Sequence, residues 1–154
     1  MPANTLKKFL DSRGVKYVSI QHSPAFTAPE VAASAHIAGS DFAKTVIVKI
    51  DGRMAMVVVP ANRKVVLSEL RDMLLSEKVE LATEEEFKGR FPDCEIGAMS
   101  PFGNLYDLPV YVENSLTGSF QIAFNAGTHR EVIKMASDDF AQCVKPTVLD
   151  LVTV

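Results

Sequence analysis

Apolar and polar residues alternate most clearly in the stretch SDFAKTVIVKIDG. Val46, Val48 and Ile50 fall on one face of an extended chain, because successive residues of a strand point to opposite sides. The Asp-Gly pair at the end of the stretch supplies the positive φ angles of a tight hairpin turn. The pattern therefore predicts a hairpin of two central strands, Lys44–Ile50 and Arg53–Val59.

The same alternation places Lys44 on the core side of its strand. An ammonium group there must reach water at the strand end, pair with an acid or bind a ligand, because an unpaired buried charge is costly. Two interpretations remain open. Lys44 either extends its amine into water along an apolar stem, or it forms a cation at a pocket mouth that binds a phosphate or carbonyl oxygen.

Helix signals recur at five places along the chain, each marked by a residue type that caps a helix N-terminus. The predicted helices are Asn4 to about Gly14, Thr27 to about Ala35 with a capping box at Thr27–Glu30, Ser68 to about Leu75, a short helix after the capping box Thr83–Glu86, and Asp138–Val144 capped by Ser137.

Further short runs rich in β-branched and aromatic residues predict additional strands. They are Tyr17–His22, Val110–Glu113, Phe120–Phe124 and Arg130–Met135. Strands outnumber long helices and the hairpin favours antiparallel pairing, so the predicted class is α+β, with a mixed, largely antiparallel sheet wrapped by short helices.

The segment FPDCEIGAMSPFGNLYDLP, which begins at Phe91, predicts a packed loop. Glycines and prolines interrupt every possible element in it. Its apolar residues are too frequent for a solvated linker, and they are Ile96, Met99, Phe102, Leu105 and Leu108.

The chain has 154 residues, of which 47% are hydrophobic and 23% charged. This size and composition are typical of one globular domain, residues 1–154. No apolar run is long enough for a membrane span or a secretory signal, so we expect a cytoplasmic protein. The net charge of −3 argues against a surface that tracks many phosphates, but it is compatible with a small pocket for one nucleotide end.

The sequence carries no signal for a cofactor, a metal site or a catalytic triad. Cys94 and Cys143 lack CxxC spacing and are expected to be reduced thiols, and the histidines at positions 22, 36 and 129 are scattered. There is also no GxSxG nucleophile elbow. If the protein is an enzyme, an activated ester would be a suitable substrate. Hydrolysis of such an ester needs no protein nucleophile, because orienting a water molecule and stabilising the oxyanion supply most of the reduction in the activation barrier.

Two glycine-containing segments are further candidates for function. Gly97-Ala-Met-Ser-Pro101 is either a tight loop or a recognition loop whose backbone NH and CO groups approach a ligand closely. In Asn125-Ala-Gly-Thr-His129, Gly127 indicates a bulge or a close backbone approach before His129. His129 is either satisfied by its neighbours or lines a pocket rim, and His22 could line the same cavity.

Taken in order, the segments HSPAFTAPEVA, AKTVIVKIDG with VVVPA, GAMSPFG and FNAGTH resemble the YbaK/prolyl-tRNA-synthetase-associated editing domain family over nearly the whole chain. The strand lysine of that family corresponds to Lys44, its GxxxP loop to Gly97 and Pro101, and its Gly-x-His segment to Gly127 and His129. Each motif is weak alone, but three in this order are fairly specific.

The resemblance implies a trans-editing deacylase that hydrolyses the ester of a mischarged aminoacyl-tRNA without metal or cofactor. It implies the aminoacylated 3′ end of tRNA as substrate, an aminoacyl-tRNA synthetase as a possible partner, and no membrane or DNA. The implied catalytic residues are Lys44, Gly97 and His129. The implied substrate-binding residues are Thr45, Ala98, Met99, Ser100, Pro101, Gly127, Thr128 and His22.

Lys44-Thr45 departs from some alanine-specific members, in which asparagine follows the lysine, so the edited amino acid stays open. Two rival hypotheses remain, because likeness of fold does not fix function. The chain could be a non-catalytic module that binds a nucleotide or an aminoacyl group, or an accessory domain that docks on a synthetase.

Overall fold

The computed structural model of the protein describes residues 4–22, 37–118, 120–151 and 153–154. The predicted capping box at Thr27–Glu30 and the helix to Ala35 lie outside these residues.

The predicted hairpin forms the centre of an eight-stranded sheet built by the described residues. The strands are β1 (Tyr17–Gln21), β2 (Phe42–Ile50), β3 (Arg53–Pro60), β4 (Val79–Leu81), β5 (Val110–Glu113), β6 (Gln121–Asn125), β7 (Glu131–Ala136) and β8 (Thr147–Leu149). Their order is β1-β7-β6-β2-β3-β5-β8, and β4 pairs with β2. The pairs β1–β7, β6–β7, β2–β3 and β2–β4 are antiparallel, whereas β2–β6, β3–β5 and β5–β8 are parallel. The predicted α+β class with a mixed, largely antiparallel sheet is confirmed.

Short helices flank this sheet, as predicted. They are α1 (Asn4–Ser12), α2 (Leu67–Met73), α3 (Glu84–Phe87), α4 (Asn114–Thr117) and α5 (Ser137–Val144), with a 3₁₀ turn at Gly103–Leu105. The capping box of α3 is confirmed, because Thr83 and Glu86 each accept a hydrogen bond from the other's backbone NH. No helix in the described part of the chain is both long and apolar enough to cross a bilayer.

Two predicted serine caps are wrong. Helix α2 begins at Leu67 after Val66, one residue before Ser68, and has no side-chain cap. Ser137 is the first residue of α5 rather than its cap; it is only 4% exposed, and its hydroxyl lies 3.5 Å from the carbonyl oxygen of Leu116. The chain enters the helix two residues earlier than a cap at Ser68 indicates and one residue earlier than a cap at Ser137 indicates.

The central strands are buried on both faces of the sheet. On one face, Ala43 and Ile47 of β2 join the core that contains α1 and α5. On the other face, Val48 packs with Leu70 of α2 and with Leu151. Lys44 shares the face of Val48 by strand alternation, so the predicted inward-facing lysine is confirmed.

The predicted packed loop after Phe91 closes the first of these cores. Phe102 is fully buried, and its ring lies 6.0 Å from Phe9, 5.5 Å from Phe124 and 5.6 Å from Phe140 between centroids. These edge-on and tilted contacts stabilise aromatic clusters. Ile96 is the exception in this loop, because its side chain is 51% exposed.

Candidate active site

The two glycine-containing segments singled out by the sequence lie against each other. The Glu95 NH donates to the Gly127 carbonyl at 2.7 Å, and the Gly127 NH donates to the Ala98 carbonyl at 2.9 Å. The His129 NH donates to the Glu95 carboxylate, with 2.7 Å between N and Oε1. Residues about 30 positions apart in sequence thus form one hydrogen-bonded unit.

Glycine is required at the crossing of these segments. Gly97 has a φ of +85° and Gly127 a φ of +94°, a region that side-chain-bearing residues rarely adopt. A Cβ atom on Gly97 would lie 3.5 Å from Cε1 of His129. A side chain at position 97 would therefore be in van der Waals contact with the imidazole ring.

The same unit holds the imidazole ring of His129 in place by a hydrogen bond. Its Nε2 lies 2.9 Å from the carbonyl oxygen of Ile96, and the residue is 9% exposed. A carbonyl oxygen only accepts hydrogen bonds, so Nε2 carries a proton and donates it to Ile96. His129 is suited to bound a pocket and not to transfer a proton through Nε2.

The middle of the GxxxP loop is buried. Ala98 is fully buried, Met99 is 6% exposed within the main core, and Ser100 is 3% exposed. Pro101 is also buried. Contact between these residues and a ligand would therefore use the loop backbone and not their side chains.

His22 and Thr128 lie at the same end of the sheet as the Gly127–His129 turn. The His22 NH donates to the Arg130 carbonyl at 2.8 Å, which continues the β1–β7 ladder by one residue. Thr128 Oγ1 accepts from the Arg130 NH at 3.2 Å and so closes the turn. The structure thus places His22 and Thr128 close to Arg130, the residue after His129, and their roles in substrate binding stay predictions.

Lys44 is a half-buried cation. Burial lowers the pKa of its ammonium group, and the positive charge of Lys64 lowers it further. Among the residues that the structure describes, no carboxylate forms an ion pair with Lys44. A desolvated ammonium without an acidic partner is suited to bind an anion.

Parallel pairing of β2 with β6 places Lys44 beside Asn125, the strand residue two positions before Gly127. Ala43 pairs with Phe124, so Lys44 and Asn125 are the next residues along the two strands, on the same face. Two residues after Asn125, the chain reaches Gly127. Within the described ranges, no direct hydrogen bond joins Lys44 to the Gly97–Pro101 loop or to His129.

Two buried polar atoms close to Lys44 in the sheet have no hydrogen-bond partner within the described structure, and one of them, in Asn125, shares the face of Lys44. Asn125 is 7% exposed, and its Oδ1 has no hydrogen-bond partner among the described residues. The same holds for Oγ1 of Thr45, on the opposite face of β2. Buried polar atoms of this kind normally find partners, so Asn125 is a ligand-facing candidate that the sequence analysis missed. Its only signal in the sequence was its place before Ala-Gly-Thr-His.

Side chains that could bind a metal ion are not clustered in the described part of the chain. In residues 4–22, 37–118, 120–151 and 153–154, His, Cys, Asp and Glu side chains form no group of three that could hold a metal ion.

Comparisons with known proteins find relatives that act in prolyl-tRNA editing and prolyl-tRNA synthesis. The prolyl-tRNA editing protein ProX of Acetoanaerobium sticklandii is 27% identical over 143 residues, which cover 88% of this chain and 86% of that protein. The proline–tRNA ligase of Bacillus mycoides is 28% identical over 87 residues, or 56% of this chain, but the match spans only 15% of the ligase.

A solved structure of a candidate trans-editing enzyme for prolyl tRNA synthetase has the same fold, with a TM-score of 0.81 at 22% identity over 97% of this chain and 95% of that one. The family model of the aminoacyl-tRNA editing domain matches residues 22–143. The chain therefore belongs to the aminoacyl-tRNA editing domain family.

Proposed function

We propose that this protein is an aminoacyl-tRNA deacylase that hydrolyses the ester between a mischarged amino acid and the terminal ribose of tRNA. The observation that carries the proposal is Lys44, a half-buried ammonium with no acidic partner in the described structure. The family match supports a tRNA end as substrate, and a tRNA end is rich in the anionic and carbonyl oxygens that an ammonium binds.

Lys44 would bind the 3′-terminal nucleotide or the ester oxygen by charge. An ammonium group acts as a point charge toward phosphate and carbonyl oxygens, and its effect is stronger where water is partly excluded. The buried oxygen of Asn125, next to Lys44 on the same face, would accept a hydrogen bond from the substrate.

The Gly97–Pro101 loop would position the aminoacyl group through its backbone. The buried side chains of Ala98 and Met99 fix the loop, and the positive φ of Gly97 lets its backbone approach a ligand. Such preoriented dipoles stabilise the oxyanion that forms when water attacks an ester carbonyl. His129 would bound the side-chain pocket, since its Nε2 is bonded to Ile96.

The reaction adds water to the ester carbonyl and then breaks the bond to the ribose oxygen. The products are a free amino acid and a tRNA with its terminal hydroxyl restored. The oxygen of the water enters the carboxyl group, and one of its protons goes to the ribose oxygen. Orientation of the reactants and stabilisation of the oxyanion lower the barrier without a protein nucleophile.

The test is ester loss from tRNAs mischarged with alanine, serine, threonine or cysteine, beside correctly charged prolyl-tRNA. Lys44→Ala should lose about a hundredfold or more of the rate on the edited species. Lys49→Ala is a matched control on the same strand, because Lys49 is ion-paired with Glu80 at 3.2 Å and with Glu86. Deacylation by Lys44→Ala at the wild-type rate would overturn the assignment.

The rival hypothesis is a non-catalytic module that binds a nucleotide or an aminoacyl group. It predicts binding of a non-hydrolysable aminoacyl-adenosine analogue without turnover of any mischarged tRNA.

For the proposed deacylase, the net charge of −3 favours contact with the acceptor end of tRNA alone. Affinity for tRNA should then fall only weakly with salt, because few phosphates are neutralised.

A further inference from the structure

Glu95 makes two contacts to the Gly127–His129 turn, and the sequence analysis did not single it out. Its backbone NH donates to Gly127, and its carboxylate accepts from the His129 NH, both at 2.7 Å. The next residue, Ile96, accepts from the His129 ring at 2.9 Å. Both the main chain and the imidazole of His129 are therefore held from positions 95 and 96.

The carboxylate of Glu95 supplies an acceptor for an NH group that has little access to water. His129 is 9% exposed, and a buried NH without a partner is strongly disfavoured. A bond to a carboxylate is stronger than one to a neutral oxygen. Loss of this acceptor should loosen the turn at His129, and with it the hydrogen bond of the imidazole to Ile96.

We propose that Glu95 is a positioning residue, whose carboxylate holds the Gly127–His129 turn against the Gly97–Pro101 loop. The consequence for catalysis rests on the proposed deacylase function. Glu95 itself does not need to touch the substrate: it acts through His129 and the loop backbone. Glu95, two residues before Gly97, would thus be part of the candidate active site.

The first measurement needs no substrate. Amide hydrogen exchange at His129, followed by NMR, reports directly on the bond to Glu95. In Glu95→Ala, exchange at His129 should accelerate at least tenfold relative to wild type. Glu95→Gln keeps an acceptor oxygen and should stay close to wild type. Glu77→Ala removes an exposed glutamate elsewhere and is the matched control. Unchanged exchange at His129 in Glu95→Ala would overturn the positioning role.

The second measurement is the deacylation rate of the same variants. Glu95→Ala should lower kcat at least tenfold with a smaller change in KM, and Glu95→Gln should recover most of the loss. If exchange accelerates while kcat stays at the wild-type value, the positioning of His129 has no role in turnover and that part of the proposal fails. If wild type itself deacylates nothing, the proposed function fails, whereas the exchange result still decides whether Glu95 holds the turn.

Discussion

The Nε2 atom of His129 lies 2.9 Å from the carbonyl oxygen of Ile96, the residue directly before Gly97. The imidazole ring and the start of the GxxxP loop are therefore joined by a hydrogen bond, and a Cβ added to Gly97 would lie only 3.5 Å from the ring. A change in the backbone at either position should be transmitted to the other. This coupling gives the first prediction.

Gly97→Ala should impair deacylation through the backbone. Alanine at a φ of +85° costs about 1–2 kcal/mol, and relief of that strain would move the Ile96 carbonyl away from His129. We expect at least a tenfold lower kcat/KM. Gly89→Ala is the matched control: Gly89 has a φ of +88°, but its added Cβ would contact nothing within 4 Å. Both variants should lose similar stability in urea denaturation. Equal losses of activity in the two variants would contradict the prediction.

Lys44→Met should separate stability from activity. The variant removes a desolvated ammonium that has no acidic partner among the described residues, so its free energy of unfolding should equal or exceed that of wild type, while deacylation falls. The direction in which stability changes with pH follows from the lowered pKa of Lys44. Folded wild type releases this proton at lower pH than the unfolded chain does, so wild-type stability rises as pH climbs through the folded pKa toward 10.5.

Urea denaturation at several alkaline pH values checks this prediction. Any advantage of Lys44→Met should shrink as pH rises, and Lys49→Met should show no such advantage, because Lys49 is ion-paired with Glu80 and Glu86. A Lys44→Met variant that is clearly less stable than wild type at neutral pH would indicate that the ammonium has a stabilising partner.

The hairpin was predictable because its signal is local. Asp51 and Gly52 adopt φ angles of +49° and +84°, and the strands on either side pair in the expected register. The strands β4 and β8 were not predicted. Each has three residues and depends on a distant partner, as in the pairing of Val48 with Leu81. Elements this short carry no periodicity of their own.

The sequence predicted several residues of the candidate site, but it did not predict the contacts between them. Gly97 and His129 were both named from the sequence, but they are 32 positions apart, and they come close together because the β6–β7 turn and the loop fold onto each other. Glu95 and Asn125 were missed for the same reason. A surface glutamate and a strand-end asparagine have no distinctive local sequence pattern. Only in the fold does Glu95 gain the His129 NH as a partner, and only there is the side-chain oxygen of Asn125 buried without a partner among the described residues.

Glu131 should make the stability of the protein depend on pH in the acid range. This buried carboxylate pairs with Lys7 at 2.5 Å and accepts from Ser19. Burial alone would raise the pKa of Glu131, but the bonds from Lys7 and Ser19 outweigh it and hold the pKa below 4.5. The resulting stability is present above pH 4.5 and is lost as pH falls through the folded pKa.

Glu131→Gln should therefore destabilise the protein by about 2 kcal/mol at neutral pH, a value typical of hydrogen bonds to charged groups. The difference from wild type should close on acidification below pH 4.5. Chemical denaturation at a series of pH values measures this, and Glu77→Gln, an exposed site, should stay near wild type at each pH. A difference that is independent of pH would show that the charge of Glu131 is not its source.

The thiol of Cys94 should react slowly with alkylating reagents, although the residue is partly exposed. Burial raises the pKa of Cys94 from 9.0 to about 11, although a hydrogen bond with Tyr106, whose hydroxyl lies 3.3 Å away, acts in the opposite direction. Only the thiolate is a nucleophile, so at pH 8 its alkylation should be about a hundredfold slower than that of an ordinary thiol. Iodoacetamide labelling of a Cys143→Ser background, in which Cys94 is the sole cysteine, checks this rate against the urea-unfolded chain. A folded-state rate within a few fold of the unfolded rate would contradict the raised pKa and the packing of Cys94 against Tyr106.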